Sequence, residues 1–463
     1  MAVHGLQLDS REVQSGQAFV ALKGYNKDGH SYIDQAVSAG AKVVFCENWS
    51  DNISPAVTYI QTSGLRKKLG WLAHNFFGQP SKKLKMIAIT GTNGKTSVAT
   101  IGFQTCQFLG YKTGLISTTG IYIDDTKFDA THTTPDPISL HRALAQMADR
   151  GCEWCWMEAS SHALDQGRTN GIDFLAGIFT NLSHDHLDYH GSFDAYLKAK
   201  KVLFDGLEPD SVAIVNQDDR HADVMVQNCE ARKVGYALQA MADYTMSVIE
   251  QNLEGMLVRM DGREVHLMLN GGYNGSNVLS VYATLIESGE DKDEVLKALS
   301  KVTGAEGRFQ KVMDKSGKKL GIVDFAHTPD AVEKILKAIS ELNTQKGRIL
   351  TVIGCGGNRD RDKRPKMAKI AVRGSDKVVL TSDNPRSEKP EDIIEDMKTG
   401  VSEDRAHQII SIPDRREAIR VACSLAEPGD IILVAGKGHE KYQEINNKRI
   451  AFDDLRVLKE ALG

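Results

Sequence analysis

Residues 84–110 read LKMIAITGTNGKTSVATIGFQTCQFLG, and their order decides the fold class. LKMIAIT is short, apolar and β-branched, GTNGKTS is a Gly-rich turn, and VATIGFQTCQFLG carries apolar residues at helical spacing up to Gly110, where a helix C-cap belongs. The stretch predicts a strand, a phosphate-binding loop and a helix. Gly91 and Gly94 let backbone N–H groups of Thr92, Asn93 and their neighbours approach phosphate oxygens. Lys95 reaches between the β- and γ-phosphates, and Thr96, followed by Ser97, offers a hydroxyl to Mg²⁺ at the positive end of a helix dipole. The common pattern places four residues between its glycines and would need Gly at 89, where Ile89 stands; this loop is the shorter Gly-x-x-Gly-Lys-Thr. A chance Gly-rich turn competes with that reading, but the strand before and the helix after favour an ATP loop.

A chain of 463 residues exceeds what one hydrophobic core serves, so two to three domains are expected. Lys and Arg (57) nearly balance Asp and Glu (61), which gives no reason to expect nucleic acid or an anionic membrane as partner. No run has the length of a membrane span, and MAVHGLQLDSREV lacks the basic-then-apolar plan of a signal peptide, so a cytoplasmic location is the default. Seven scattered cysteines point to reduced thiols. Cys152 and Cys155, a lone pair in CEWCWME, read as packing on a buried strand.

Residues 1–82 alternate strand-like QAFVAL, AKVVFCE and VTYIQT with helical or polar segments and predict a small α/β domain. GQPSKKLK reads as the linker out of it. A central domain is expected over 83–305, with KVTGAEGRFQ as the next hinge. Over 306–463, LGIVDFAHT, GRILTVIGCGG, DKVVLTSDNPR and GDIILVAGKGHE predict four buried strands of a doubly wound, Rossmann-like α/β domain with its ligand groups at the strands' carboxyl ends. In SFDAYLKAKKVLF, Phe193, Leu197, Lys200 and Phe204 share one helical stripe, so Lys200 is expected to point inward while Lys198 and Lys201 point elsewhere. Burial favours the neutral amine, which can add CO₂ to give a carbamate.

DSREVQSGQAFVAL, ITGTNGKTS, HTTPDP, MEASSHALDQGR, TNLSHDHLDYHG, YLKAKKVLF, YNGSN, EGRF, VDFAHTPDA, GCGGNRDRDKRPKMA, TSDNPR and AGKGHE, in this order, resemble the Mur ligases over nearly the whole chain. The likeness is strongest to the members that add 2,6-diaminopimelate. Family members carry a longer segment before Asp-Ser-Arg, so part of the first nucleotide-binding strand is expected to be absent. The resemblance implies a UDP-binding first domain, a P-loop ATPase-like central domain and an amino-acid-binding third domain, in a monomeric enzyme of peptidoglycan synthesis. ATP would phosphorylate the D-glutamate side-chain carboxylate of a UDP-muramoyl dipeptide, and the amine of meso-diaminopimelate would displace phosphate.

The family pattern puts metal ligands on Thr96, Glu158, His186 and Lys200, the last as a carbamate, with Lys95 joining Glu158, His186 and Lys200 as catalytic groups. Of the five His and Asp residues in HDHLDYH only His186 is assigned. Asn274 and Asn277 resemble adenine-side contacts, and Arg308 and Asp324 phosphate and ribose contacts from beyond the hinge, so the ATP site is complete only when the domains close. UDP-substrate positions fall on Ser10, Tyr25, Asn26, Lys27, Thr133, Thr134, Ser160, Gln166 and Arg168. Amino-acid positions fall on Arg359, Asp383, Asn384, Pro385, Arg386, Gly436 and Glu440. A Pro-containing surface turn competes for DNPR. For the whole chain, a lysine-adding or folylpolyglutamate-synthetase-like ligase, or a nucleotide-dependent switch module, are the alternatives.

Overall fold

The computed structural model describes the chain except residues 1–2, 25–26, 50–51, 130–132, 345 and 447. Alternation along the strand Lys85–Thr90 organises its centre. Ile87 and Ile89 share a core with Val98 and Ile101 of the helix Lys95–Phe108 and with Val278 and Val281 of the helix Gly272–Glu287. Met86 joins Leu140 and Leu144 of the helix Pro137–Asp149, and Ala88 joins Leu203 and Phe204 of the helix Phe193–Asp205. Successive side chains point to opposite faces and both faces are covered, which is why the strand is an unbroken apolar run.

That strand sits inside an 11-stranded sheet. In order across the sheet its strands are Arg263–Leu267, Gly255–Met260, Tyr244–Asn252, Arg232–Ala237, Val212–Asn216, Ala176–Phe179, Lys85–Thr90, Trp154–Glu158, Thr113–Ser117, Gly120–Ile123 and Thr126–Phe128. From Tyr244–Asn252 to Thr113–Ser117 the pairing is parallel, and an antiparallel hairpin continues the sheet at either end. Lys85–Thr90 lies between Ala176–Phe179 and Trp154–Glu158. The carboxyl ends of these strands therefore open side by side, where a parallel α/β sheet collects its ligand groups.

Leu6–Gln7, Ala18–Val20, Val43–Cys46 and Thr58–Gln61 form a parallel four-stranded sheet covered by the helices Ile33–Ser38 and Leu65–Phe76, and Ile138 of the central unit enters its core. The expected linker is not extended: Pro80–Lys83 closes a 3₁₀ turn with Pro80 and Ser81 buried. The third sheet contains the four expected strands as Leu320–Asp324, Ile349–Cys355, Lys377–Ser382 and Ile431–Ala435. It gains two more at its edges, antiparallel Gln310–Met313 and parallel Ile409–Ser411, which are short and half-exposed and so lack an apolar signature. Ile322, Ile353, Leu380 and Leu433 serve one face; Val323, Val352, Val379 and Val434 serve the other. The seven cysteines are buried and unpaired, with Cys155 inside Trp154–Glu158. Among the described residues no helix is long and apolar enough to cross a membrane.

A buried ion pair ties the third sheet's ligand-bearing ends to the C-terminal helix Asp454–Leu462. Arg415 donates to both Asp454 oxygens at 2.8 and 2.7 Å, and also to the carbonyls of Ala435 (2.9 Å) and Ser382 (3.3 Å), with neither side chain exposed. Removing one partner strands a charge, so Asp454→Ala should lose ~3–5 kcal/mol in urea unfolding, while Arg415→Met with Asp454→Leu should recover most of it. An unchanged unfolding midpoint for Asp454→Ala would contradict this account.

Candidate active site

A cleft of about 1260 Å³ runs between the central and third sheets. Its central wall includes Thr92, Asn93, Gly94, Lys95, Thr96, Ser97, Thr133, Glu158, Ser160, His186, Lys200 and Asn277; its other wall includes Arg308, Asp324, Arg359, Asp383, Asn384, Arg386, Gly436 and Glu440.

The loop after Lys85–Thr90 turns through Gly91 (φ +148) and Gly94 (φ +90). A Cβ on Gly91 would lie 1.9 Å from Thr180 Oγ1, and one on Gly94 2.7 Å from Asn277 Oδ1, so neighbouring elements close on the bare backbone. Asn181 accepts from the N–H groups of Thr92 and Asn93 at 2.8 and 3.0 Å. Gly94 caps the helix Lys95–Phe108, and Lys95 Nζ donates to the carbonyls of Gly91 (2.9 Å) and Thr92 (2.8 Å). Burial lowers the pKa of this lysine.

Glu158 ends its strand with the side chain buried. The residue that links it to the loop is Thr118, which no motif singled out. Thr118 donates to Glu158 Oε1 from its N–H (2.9 Å) and hydroxyl (3.2 Å), and that hydroxyl lies 3.0 Å from Thr96 Oγ1. Arg308 reaches over from beyond the hinge and donates to Thr96 Oγ1 at 3.1 Å. Asp324 accepts from the N–H groups of Phe309 and Ala326, each at 2.7 Å, while burial raises its pKa.

Lys200 is buried on the helix Phe193–Asp205. Its Nζ donates to the Gly91 carbonyl at 2.7 Å and sits 4.7 Å from the Tyr196 ring centroid. Burial, with Lys95 beside it, holds the amine far below the ordinary lysine pKa. Lys201, expected to point away, is also buried and pairs with Asp205. The reason is that the covered face of this helix is wider than one stripe and includes Tyr196 and Leu203. His186 occupies a left-handed position (φ +54) in the cleft, whose enclosure lowers its pKa. Its neighbours are otherwise engaged: His184 with Asp360 across the cleft at 3.0 Å, and His190 with Ser161 at 3.0 Å. Among the described residues no three or more His, Cys, Asp and Glu side chains converge on one point. Hydroxyl and carboxylate oxygens at Thr96 and Glu158 fit a Mg²⁺ ion that completes its shell with phosphate and water.

The expected UDP-substrate residues are only partly gathered. Thr134 donates to the Glu158 carbonyl at 2.7 Å and lies 3.4 Å from Ser160 Oγ, and Arg168 donates to Thr134 O (2.7 Å) and to Gln166 Oε1 (2.9 and 2.7 Å). Ser10 is not part of this group; it is buried in the first unit and donates to Gln35 at 2.9 Å. Lys27 is exposed, and Tyr25 and Asn26 lie outside the described residues. Asn277 lines the cleft and donates to Asn274 Oδ1 at 3.3 Å, while the buried Asn274 donates its own amide to Asn270 O at 2.8 Å.

DNPR is not a surface turn: Asp383, Asn384 and Pro385 are buried. Arg386, at φ +54, is pinned by Glu444 O and Asn446 N, with its Nε 3.3 Å from Glu444 Oε2 and its Nη1 donating to Gly357 O at 2.7 Å. Gly436 lies against Asp383, and Arg359 is exposed at the rim. Glu440 Oε2 accepts from Asn384 (2.9 Å) and from the buried Lys437 (2.8 Å), the Lys of GKGHE that sequence reading passed over.

The chain matches the Mur ligase family catalytic domain over residues 2–76, the Mur ligase middle domain over 89–285 and the Mur ligase glutamate ligase domain over 307–438. It is 48% identical over 458 residues to a UDP-N-acetylmuramoyl-L-alanyl-D-glutamate–2,6-diaminopimelate ligase of Phocaeicola vulgatus, covering 99% of this chain and 94% of that protein. The protein of that name from Geobacillus kaustophilus is 41% identical over 468 residues, with 99% and 94% covered. A solved structure of a ligase of this name superimposes with a TM-score of 0.71 at 36% identity, covering 99% and 94%. The MurF ligase of Thermotoga maritima in complex with ADP shares the fold, with a TM-score of 0.70 at 16% identity over 99% and 98% of the two chains.

The closeness of Thr180 to Gly91 leaves no space for a methyl group. Gly91→Ala should cost ~1–3 kcal/mol of stability through strain and overpacking, and should abolish saturable Mg–ATP binding in calorimetry. Unchanged binding would show that the loop does not cradle phosphate.

Proposed function

The chain belongs to the Mur ligase family, and on that premise we propose that it is an ATP-dependent, ADP-forming ligase joining meso-2,6-diaminopimelate to UDP-N-acetylmuramoyl-L-alanyl-D-glutamate. The observation that carries this reading is the single cleft shared by the phosphate loop with Glu158 and by the Asp383, Arg386 and Glu440 group. We assign residues 1–82 to the UDP moiety, 83–305 to ATP and 306–463 to the incoming amino acid, in a cytoplasmic monomer.

The side-chain carboxylate of D-glutamate attacks the γ-phosphorus, the bond to the β–γ bridging oxygen breaks, and ADP leaves. The diaminopimelate amine then adds to the acyl phosphate carbon, loses a proton and expels phosphate. Two anions must meet in the first step, so the protein's task is to neutralise and align them. Lys95 and Arg308 bring positive charge to the phosphates from opposite sides of the hinge, and Asn277 and Asp324 position the nucleoside. Thr134, Ser160, Gln166 and Arg168 hold the peptide end, with Ser10, Tyr25, Asn26 and Lys27 at the UDP end. Bound Mg²⁺ would offset the phosphate charge, one ion held by Thr96 and Glu158 and a second by His186 and the Lys200 carbamate.

Lys200 favours that modification through its burial. Its neutral nitrogen attacks CO₂, a proton leaves, and the remaining N–H can keep its bond to the Gly91 carbonyl. The resulting carbamate turns a buried neutral amine into an anion. Lys200→Ala should fold but lose ligation at least about 100-fold, since a metal-holding group is removed. A small carboxylic acid should partly restore it, and ¹³CO₂ should give a carbamate resonance in the parent protein. Near-normal activity of Lys200→Ala would reduce the residue to packing.

The amino-acid end decides between near relatives. The distal end of meso-diaminopimelate carries an ammonium and a carboxylate, whereas L-lysine has only the ammonium. Asp383 and Glu440 suit the ammonium, and Arg386 with Arg359 suits the carboxylate. Lysine would leave the Arg386 guanidinium with only Glu444 and the Gly357 carbonyl and without the substrate carboxylate, a lost charge pair worth ~2–5 kcal/mol or roughly 30- to several-thousand-fold in kcat/KM. Diaminopimelate should therefore be preferred, and Arg386→Ala should lose its use far more than ATP binding. Equal kcat/KM for the two amino acids would refute the assignment.

A further inference from the structure

His439 lies between two functional groups that the ligase reading treats separately. It follows Gly438 in GKGHE and precedes Glu440, yet its ring faces the central unit, with Nε2 3.2 Å from the carbonyl oxygen of Thr118. A carbonyl only accepts, so Nε2 carries the proton and Nδ1 the lone pair; Nδ1 is buried without a hydrogen-bond partner. Burial lowers the pKa to about 3, which keeps this ring neutral.

The residue whose carbonyl His439 grips is the one that holds Glu158. Thr118 N–H and hydroxyl both point to Glu158 Oε1, and the hydroxyl also meets Thr96 Oγ1. On the other side, the loop carrying His439 is fixed by the amino-acid group, because Glu440 accepts from Lys437 and Asn384. The hinge sets the height of the ring. A Cβ on Gly307 would lie 2.1 Å from the His439 backbone nitrogen, the Phe325 ring centroid is 5.2 Å from that of His439, and the Arg308 guanidinium lies 4.3 Å over the Phe325 ring. A continuous set of contacts thus runs from Asn384 and Glu440 through His439 and Thr118 to Glu158 and Thr96.

We propose that His439 is a positioning residue that carries the seating of the Gly436–Glu440 loop to Glu158 by fixing the Thr118 backbone through its carbonyl. Phosphoryl transfer is then fastest when the amino-acid loop is in place. This inference deepens the ligase reading and rests on it for its kinetic arm alone.

Two variants separate the donor from the packing. His439→Phe keeps a ring against Phe325 and removes the N–H; His439→Gln keeps an N–H donor of similar reach. Kinetics with the UDP-dipeptide and diaminopimelate are paired with Mg²⁺ titration of the binding of a non-hydrolysable ATP analogue. His439→Phe should lower kcat and apparent Mg²⁺ affinity each by about 10–100-fold, with KM for diaminopimelate within about threefold of the parent, and His439→Gln should recover most of both losses. Parent-like values for His439→Phe, equal losses in both variants, or a loss confined to the KM for diaminopimelate would overturn the proposal. If the parent protein itself fails to use diaminopimelate, the ligase reading falls, while the Mg²⁺ titration still decides the role of His439.

Discussion

One carbonyl oxygen, that of Gly91, accepts hydrogen bonds from two buried lysines, Lys95 at 2.9 Å and Lys200 at 2.7 Å. Two ammonium groups around one neutral acceptor repel each other in a poorly screened interior; Lys200 is pushed toward its neutral form by burial and by Lys95, and Lys95 by its own burial and by Arg308. Such a site favours whatever adds negative charge: a triphosphate beside Lys95, a carbamate on Lys200. Much of the surrounding structure holds these groups together despite their repulsion. Gly91 must be glycine because Thr180 closes on it, and Lys200 arrives on a helix packed by Leu203 and Phe204 against the opposite face of the strand that carries the loop.

The third unit supplies what the loop lacks. Arg308 reaches Thr96, Asp330 accepts from Asn93 at 2.7 Å, Asp360 meets His184, and His439 meets Thr118. These polar contacts span the mouth of the cleft rather than an apolar interface. That suits a hinge that must open for ATP, the UDP-linked acceptor and the amino acid and close before an acyl phosphate is exposed to water. Arg415 and Asp454 tie the carboxyl ends of Lys377–Ser382 and Ile431–Ala435 to the C-terminal helix, so those strand ends are held as one body.

The sequence was most informative where local chemistry is self-contained. The run 84–110 revealed its strand, loop and helix because both strand faces are buried and the glycines punctuate them, and Lys200 could be placed inward from helical spacing alone. Thr118 was invisible because a threonine after a strand has no distinctive pattern; its role comes from the neighbouring position of Trp154–Glu158 in the sheet. Lys437 and His439 stood within a quoted motif, but their partners lie on other loops, and short-range spacing cannot reveal those. Asn274 is buried with its amide on Asn270, a placement that its helical position could not give before the packing partner was known. The edge strands Gln310–Met313 and Ile409–Ser411 escaped notice because half-exposed strands need no apolar run.

The central claim is that ATP chemistry here belongs to a closed cleft in which both acceptor and amino acid are bound. ADP release, followed by coupled assay with product mass measured in parallel, tests it when ATP–Mg²⁺ is supplied alone, with UDP-N-acetylmuramoyl-L-alanyl-D-glutamate, with meso-diaminopimelate, and with both. Full turnover should require both, with one ADP released per amide formed and a product heavier by one diaminopimelate less water. ADP release by the protein and ATP alone at the rate of the complete mixture, with no amide product, would contradict the account and leave a nucleotide-dependent switch in its place.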